Sequence, residues 1–579
     1  MDILNPIFTE KTECQDCYKC VRECPVKAIK IENGHAEVIK EQCIYCGHCV
    51  EICPSGAKRV RNDLGRVKQL LKLKERVIVS LAPSYISEFN EYSSAQIIYV
   101  IKKLGFFGVS ETALGAQEVS ASSAELVKSN KGRIFISSAC PTVVEYLSKY
   151  KPLQSYYITN LLSPVLAHCK LLKREYGDDI GVVFIGPCIS KKRESDAHQE
   201  LLDVAITFED LRAWIAESGI KPNLLPEDIN EGFIPEQALE GALYPIDGGM
   251  VAGIKANCSV NDACFMVFSG IGNIENALQD IEKMNVPKNI FLELLSCEGG
   301  CVNGPKACSK TATAMKRLSV IDNAAYPDKE IPRKPTVDIT DKIKSQPIVQ
   351  KEFDESEMRA ILKTIGKYSV KDELNCGGCG YDSCRDFARA LLDGKAEHTM
   401  CVSYMRKLAQ NKANALIKSM PSGVVIVNDS LKIIECNRNF ARLFGTEIEM
   451  IYDAAPGLEG MPLDRILPFT NLFQHVLETG EDIVNRNVNT KNAVLNASIV
   501  TVDKHRIIGG IFQDITEPSV RKQQVVNKTR QVIRKNLQTV QKIAYLLGEN
   551  AAETEVILNS ITDSFFTKPT DDGTDTKND

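Results

Sequence analysis

The 579-residue sequence has little that points to a membrane or to nucleic acid. It contains no apolar run of about 18 residues, so we expect no membrane-spanning helix. Its 70 basic and 75 acidic residues leave a net charge of -5, which gives no reason to expect nucleic acid or an anionic membrane surface as a partner. The N-terminus lacks a basic region followed by an apolar one. We therefore expect no secretory signal and a cytoplasmic location.

Cysteine is abundant instead, with 21 residues distributed unevenly along the chain. A secreted disulfide scaffold would be small and would carry a signal segment. A long chain with cysteines in tight repeats is typical of intracellular metal binding. At roughly 150 residues per domain, the length predicts about four domains.

The first cysteines form a duplicated C-x2-C-x2-C-x3-C-P pattern, which is typical of bacterial two-cluster ferredoxins. In this pattern three close thiolates hold one cubane, and the fourth reaches the other cubane. We therefore expect two 4Fe–4S clusters and a hairpin at Asn33-Gly34 between the repeats. Zinc is the alternative, but it does not explain two matched sets of four. The predicted sets are Cys14, Cys17, Cys20 and Cys53 for one cluster, and Cys43, Cys46, Cys49 and Cys24 for the other.

The middle of the chain alternates apolar strands with periodic helices, which predicts an α/β domain with buried parallel strands. The predicted strands are 76–81, 132–136 and 181–185, and the clearest helices are 95–103 and 163–176. In such sheets, functional residues gather at the carboxyl ends of strands. Three such ends carry cysteines, and their four thiols can hold one more cubane or a larger cluster that shares a thiolate. These cysteines are Cys140, Cys188, Cys297 and Cys301.

The segments around these four cysteines resemble the three H-cluster motifs of iron–iron hydrogenases, in the same order. They are Cys140-Pro141, the run from Pro187-Cys188 to Glu194, and Cys297-Glu298-Gly299-Gly300-Cys301. The resemblance covers about residues 1–310. It implies that the four cysteines bind a 4Fe–4S cluster and that Cys301 bridges to a two-iron subsite carrying CO, cyanide and a dithiolate. It also implies that Lys191 hydrogen-bonds a cyanide and that Glu194 orients Lys191 or a nearby loop.

The sequence departs from productive members of that family at three places. Ala139 stands where they have a cysteine that relays protons, and a methyl group cannot transfer a proton. Gly186 replaces a methionine, and the third motif continues as Asn303-Gly304-Pro305 instead of a run of glycines. A retained cluster scaffold with a damaged proton path resembles the sensory branch of the family.

Other thiols and histidines in this region have weaker assignments. Cys258 and Cys264 could supply a substitute proton route, although ordinary core or partly exposed thiols are the alternative. His168 and Cys169 are interpreted as packing residues, and Cys308 has no assigned role.

Residues 311–350 are rich in proline, which predicts irregular chain with a linker in its later part. A helix is expected from 355 to about 368, followed by a C-x2-C-x4-C-x16-C spacing and a helix at 385–394. That spacing resembles a small 4Fe–4S domain of electron-transfer complexes, with zinc as the alternative. Its cysteines are Cys376, Cys379, Cys384 and Cys401.

Residues 413–517 resemble a PAS domain, with strands at 421–429, 432–437, 498–502 and 507–516 and a short helix at 439–445. Its ligand is left open, and His475 is interpreted as a surface or packing residue. Apolar residues then recur every seven positions, which favours a coiled-coil or paired-helix seam. A helix packed on its own PAS domain is the alternative. The recurring residues are Val526, Ile533, Val540 and Leu547.

We therefore expect a multidomain α/β and α+β chain. The predicted parts are a two-cluster ferredoxin-like head (1–65), an H-cluster domain (72–345), a 4Fe–4S domain (352–412), a PAS domain (413–518), a signalling helix (519–566) and a disordered tail (567–579). No histidine follows His505, so we do not expect a histidine kinase.

The resemblance implies a sensory hydrogenase that reacts with hydrogen and relays redox state to the PAS domain. The expected partners are hydrogen and protons, a ferredoxin, a separate phosphatase or kinase, hydrogenase maturation proteins, and a second copy of the chain through the PAS domain and C-terminal helix. The alternatives are a metabolic hydrogenase with a regulatory tail and an electron-transfer protein that never receives the two-iron group. Lys191 and Cys301 argue against the last.

Overall fold

The computed structural model describes residues 5–516 and 531–540, apart from 222–228, 258–262, 284–286, 325–332, 350, 455–456 and 491–492. The chain divides into two compact units, Met1–Met400 and Cys401–Asp579, and each is described by itself. Within the described ranges, no helix combines the length and apolar character that a bilayer crossing requires.

The head of the first unit consists of two antiparallel strand pairs and two short helices. The hairpin turns at Asn33-Gly34, as predicted, and both residues have positive φ, as this two-residue turn requires. The strands are Ile7–Thr9, Ile29–Glu32, His35–Val38 and Lys58–Val60, and the helices are Lys19–Glu23 and His48–Glu51.

Two parallel sheets form the middle of the first unit. The predicted strands are confirmed as parallel, and they belong to two separate sheets. The first sheet has the strand order Gly108–Glu111, Val77–Leu81, Gly181–Gly186, Val204–Thr207, and the second has the order Ala263–Ser269, Asn289–Leu295, Ile134–Ile136. Strands that are buried along their whole length explain the continuous apolar runs in the sequence.

Helices cover both sheets. The predicted helices at 95–103 and 163–176 are present as Ser94–Lys103 and Pro164–Tyr176. The others are Leu64–Leu73, Tyr85–Glu88, Thr112–Ser129, Pro141–Tyr150, Pro152–Ser155, Ser190–Ala197, Phe208–Glu217, Gly249–Lys255, Ile271–Ala277 and Thr313–Asn323.

The prediction of irregular chain and a linker at 311–350 is wrong in two respects. The segment contains the helix Thr313–Asn323. Its later part lies against the α/β domain, because Leu162 donates its backbone N–H to Ile339 at 2.8 Å and Gln346 donates to Ser148 at 3.1 Å. The prolines prevent regular structure there, but they leave the extended backbone free to bond to its neighbours.

The last part of the first unit is a small helical module. Its helices are Glu355–Thr364 and Cys384–Leu392, close to the predicted ranges. Asp354 caps the first helix through a reciprocal side-chain and backbone pair with Glu357.

The second unit begins with the long helix Val402–Ser419 and continues into a five-stranded antiparallel sheet. Rings of five phenylalanines fill the interior between sheet and helices: Phe440, Phe444, Phe469, Phe473 and Phe512. The strand order is Ile433–Cys436, Gly423–Asn428, Ile507–Asp514, Val494–Asp503, Ile483–Asn489, and the helices are Arg438–Leu443, Thr446–Asp453 and Asn471–Thr479.

Residues 531–540 form a helical segment of the second unit. Ile533 and Val540 are buried, and Val540 packs against Val500 and Ile511 of the sheet. In this stretch the structure agrees with the helix packed on its own domain. Val526 and Leu547 lie outside the described residues, so the longer seam stays a prediction.

Candidate functional site

The first unit encloses a mostly apolar cavity of about 110 Å³ where the carboxyl ends of three strands meet. Strand Ile134–Ile136 leads to Cys140, strand Gly181–Gly186 leads to Cys188, and strand Asn289–Leu295 leads to Cys297 and Cys301. All four cysteines line the cavity. The structure therefore brings together the four residues that the sequence selected.

Burial and mutual proximity shape the chemistry of these thiols. Burial, and to a smaller extent the neighbouring Cys140, raises the pKa of Cys188 to about 11. Burial also raises the pKa values of Cys297 and Cys301, and each is raised further by the other cysteines of the set. A thiolate ligand here needs a strong positive charge beside it, which an iron–sulfur group supplies. The donor set, the cavity and the dry surroundings fit such a group.

Lys191 lines the same cavity and is held in a fixed position. Its ammonium donates to the Glu194 carboxylate at 2.6 Å and to the Ser163 hydroxyl at 2.9 Å. Both members of the ion pair are largely buried. Glu194 therefore orients the Lys191 ammonium, whose charge lowers the pKa values of Cys188 and Cys301 against the larger effect of burial.

The three departures from the hydrogenase motifs lie at or beside this cavity: Ala139, Gly304 and Pro305 line it, and Gly186 lies two positions after the lining residue Phe184. Ala139 presents its methyl group to the wall, and its backbone N–H donates to Ser137. At Gly186, an added Cβ would lie 2.5 Å from the ring of Phe184. The Phe184 ring therefore fills the space of a side chain at 186 and lines the cavity itself.

Glu293 is the one carboxylate among the described residues that line the cavity, and the sequence motifs did not reveal it. Burial raises its pKa to about 7, against the lowering effect of backbone donors. Its oxygens accept the N–H groups of Val251 at 2.9 Å and Gly248 at 3.1 Å. A carboxyl group with this pKa can accept and release a proton near neutral pH.

In the head, each predicted cysteine set encloses its own small cavity. Zinc would bring the sulfurs of a set to within about 4 Å of one another. Across the described residues, no three histidine, cysteine, aspartate or glutamate side chains converge closely enough to hold a single metal ion. One cavity is lined by Cys14, Cys17, Cys20 and Cys53, and the other by Cys24, Cys43, Cys46 and Cys49.

The second head set lies directly beside the central cavity. Cys46 belongs to that set and also lines the central cavity. Gly47, at φ +82°, packs so closely that an added Cβ would lie 2.5 Å from Pro305. Lys149 secures the contact by donating to the Cys43 carbonyl at 2.7 Å.

The late cysteines fall on both sides of the boundary between units. Cys376, Cys379 and Cys384 lie in the helical module of the first unit. Cys401 is the first residue of the second unit and precedes the helix Val402–Ser419. The four-cysteine set at 376–401 remains a prediction from spacing.

The secondary candidates divide as follows. His168 is a buried packing residue, as interpreted, with its two ring nitrogens 2.8 Å from the Ser80 and Ser110 hydroxyls; burial lowers its pKa to about 3. Cys264 is exposed at the start of its strand, at the opposite end from the site. Cys258 lies outside the described residues. Cys169 is buried, and Cys308 and His475 are exposed.

Comparison with known proteins identifies four regions. Residues 6–54 match a 4Fe-4S dicluster domain, and residues 75–305 match the C-terminal domain of the iron only hydrogenase large subunit. Residues 372–403 match an Fe-S cluster family, and residues 411–483 match a PAS domain.

The chain is 25% identical over 325 residues to iron hydrogenase 1 of Clostridium pasteurianum, a match that covers 45% of this chain and 57% of that protein. Among solved structures, an [FeFe]-hydrogenase variant from Chlamydomonas reinhardtii is 18% identical, with a TM-score of 0.37 over 48% of this chain and 91% of that one. The PAS domain of nitrogen regulation protein NR(II) from Vibrio parahaemolyticus is 16% identical, with a TM-score of 0.15; the match covers 17% of this chain and 95% of that one.

Proposed function

Because residues 75–305 match the C-terminal domain of the iron-only hydrogenase large subunit, with a 4Fe-4S dicluster domain before it and a PAS domain after it, we propose that the chain is a hydrogen sensor of low turnover. It would react with hydrogen, H2 = 2 H⁺ + 2 e⁻, at the central cavity. When bound, a two-iron group with CO, cyanide and dithiolate ligands would supply the hydrogen chemistry, linked by Cys301 to a cubane on Cys140, Cys188, Cys297 and Cys301.

We infer low turnover because Ala139 places a methyl group in the cavity wall. Proton transfer needs a titratable group within hydrogen-bond reach, and none is available at this position. Loss of one such group typically costs a factor of about 10²–10⁴ in rate. The equilibrium between redox states is unaffected, which a sensor can exploit.

Lys191 and Glu194 have distinct roles in this proposal. The ammonium of Lys191 donates to an anionic ligand in the dry cavity, where a charged hydrogen bond is strong. Glu194 and Ser163 hold that ammonium in place from behind. Glu194 is thus a positioning residue for Lys191.

In the second unit, a rigid path leads from Cys401 to the sheet. Cys401 immediately precedes the helix Val402–Ser419, which is about 27 Å long at 1.5 Å per residue. The helix end is fastened by Asn437, whose buried amide donates to the carbonyls of Ile417 at 3.0 Å and Ser422 at 2.8 Å. Movement at Cys401 would therefore reach the sheet through this helix.

The joint at Asn437, whose amide bonds both the end of the helix Val402–Ser419 and Ser422, also contacts the C-terminal helical segment. The Ser422 hydroxyl accepts a hydrogen bond from Asn536 at 3.3 Å, within residues 531–540. A change in the redox state of a cluster on Cys401 would thus bias the terminal helices. A separate phosphatase or kinase would detect that change. A second copy of the chain would pair through the PAS domain and the terminal helices, which would carry the change across a dimer. A ferredoxin would exchange electrons with the head.

Glu293 favours the second candidate, a metabolic hydrogenase with a regulatory tail. Its pKa of about 7 gives the cavity one group able to exchange protons at neutral pH. If Glu293 serves as an efficient relay, turnover would be fast despite Ala139.

The test uses full-length protein produced with the hydrogenase maturation machinery. Infrared bands of CO and cyanide would establish the two-iron group, and a turnover assay on the same sample would separate the two candidates. A sensor gives bands that change under hydrogen with slow turnover. Absence of the bands after maturation would leave only the electron-transfer alternative.

A further inference from the structure

The helical module packs on the head beside the short helix Lys19–Glu23 and the strand Ile29–Glu32. Lys27 donates its ammonium to the Gly380 carbonyl at 2.8 Å and to the Arg22 carbonyl at 2.8 Å, so one charge joins the two parts. Gly380 has φ +92°, and an added Cβ would lie 3.1 Å from the backbone nitrogen of Arg22. The backbone N–H of Ile31 donates to Lys395 at 2.9 Å and adds a second attachment.

This attachment lies where the two cysteine sets of the head meet. The helix Lys19–Glu23 contains Cys20 of the first set and is followed directly by Cys24 of the second. The loop of the module that carries Cys379 therefore packs beside a ligand of the set nearest the central cavity.

Tyr381 occupies the space between the two parts. Its side chain is buried, and its ring packs against Phe387 with centroids 5.8 Å apart. The hydroxyl is buried and has no hydrogen-bond partner among the described residues. Tyr381 lines the same cleft as Pro25 and Val26, the two residues that follow Cys24, so its side chain lies beside the second cysteine set of the head. An unpartnered buried hydroxyl costs free energy unless an acceptor is present.

We propose that Tyr381 is the junction through which the head and the module exchange electrons, with its hydroxyl donating to a cluster sulfur and Lys27 holding the two parts together. The inference rests on the proposed redox relay and specifies its route. Electrons would pass from the central cavity to the set containing Cys46 and Cys24, and then to the module. Passing one electron oxidises the donor cluster by one unit and reduces the acceptor cluster by one unit, with no proton moved.

The first experiment is a redox titration of the full chain followed by electron paramagnetic resonance. Chemical mediators replace hydrogen, so the result does not depend on hydrogen chemistry. Tyr381→Phe keeps the ring and removes the donor, and donors to cluster sulfurs raise reduction potentials. We expect the potential of at least one cluster to fall. Tyr368→Phe, at an exposed position of the same module, should titrate as the wild type. Unchanged potentials in Tyr381→Phe would overturn the proposal.

The second experiment tests the attachment. Lys27→Met should weaken the magnetic coupling between the reduced clusters of the head and the module while the iron content stays the same. Lys30→Met removes a charge from the neighbouring strand, where Lys30 pairs with Glu32, and should leave the coupling intact. Equal coupling in both variants would contradict the role of Lys27. If the variants change the cluster potentials and the magnetic coupling as expected, but hydrogen does not reduce the protein, the sensory function is contradicted and the junction at Tyr381 is not.

Discussion

At the scale of single residues, the proposed function depends on the side chains that line the central cavity. Four cysteines and Lys191 face the cavity, as the sequence predicted, while Ala139 offers no titratable group. Glu293 was missed because it lies in the apolar run Asn289–Leu295, where one acidic residue resembles an exposed strand position. A carboxylate in a strand buried on both faces, four residues before a cysteine motif, was the available signal.

Glu293 should carry the residual proton transfer. Glu293→Gln keeps the shape and one acceptor oxygen but cannot take a proton. We expect hydrogen turnover to fall by about 10²-fold, with the infrared bands unchanged. Turnover assays check this, with Cys264→Ser at the exposed end of a neighbouring strand as the control. Unaltered turnover in Glu293→Gln would show that protons take another route.

Cys301 should be essential for retention of the two-iron group, because it is the proposed thiolate link. Cys301→Ala should lose the CO and cyanide bands. Cys376→Ala, in the separate helical module, should keep them. Infrared spectra of both matured variants provide the comparison, and bands that survive in Cys301→Ala would refute the bridging role.

At the scale of elements, the sequence predicted the strands and helices that carry the cysteines, because buried parallel strands appear as continuous apolar runs. It could not predict that these strands fall in two sheets, since pairing depends on contacts distant in sequence. The helix Thr313–Asn323 was missed because the prolines that follow it dominated the composition of 311–350. The bonds of the extended segment at 333–349 are tertiary and leave no local signal.

The helix Ser190–Ala197, which carries Lys191, is anchored by a buried charge network. The fully buried Lys192 pairs with Asp63 at 3.1 Å, and Asp63 also pairs with Arg61. Burial alone would raise the pKa of Asp63, but Lys192 and Arg61 outweigh it and hold the pKa below its ordinary value.

Asp63→Asn should therefore destabilise the domain by about 1.5–3 kcal/mol, because it removes the charged partner that Lys192 and Arg61 share and leaves each with one carboxylate, Asp210 or Asp196. In the wild type, this contribution is present above the unfolded-state pKa near 3.8 and is lost as the pH falls through the lower folded-state pKa. Denaturant unfolding measures both effects. Asp179→Asn, at an exposed ion pair with Arg76, should cost no more than about 1 kcal/mol. Equal costs for the two variants would contradict the network's importance.

The joint at Asn437 should transmit the signal within the second unit. Asn437→Ala removes donors to Ile417 and Ser422 and acceptors for two backbone N–H groups. We expect a loss of about 1–3 kcal/mol in the stability of this unit and weaker coupling to the terminal helices. Hydrogen exchange of residues 531–540 in oxidised and reduced protein measures that coupling. Asn439→Ala, which removes a single bond to Met420, is the control. A redox response that persists in Asn437→Ala would show that the signal bypasses this joint.

At the scale of the whole molecule, the proposed relay would use the cysteine sets of the head, the central cavity and the predicted set at 376–401 as successive redox sites. In the first unit, Gly47 packs against Pro305 at the central cavity, and Lys27 donates to the Gly380 carbonyl at the module. The sequence specified the cysteine sets through their spacing, but the adjacency of the sets depends on packing that only the fold provides.

The most direct test of the account is the rate of hydrogen turnover by the matured wild-type chain, measured with its infrared spectrum under hydrogen. The account predicts CO and cyanide bands that shift when hydrogen is admitted, together with turnover about 10²–10⁴-fold below that of metabolic hydrogenases. A turnover rate equal to that of metabolic hydrogenases would contradict the sensory account and identify the PAS domain as regulation of an ordinary enzyme.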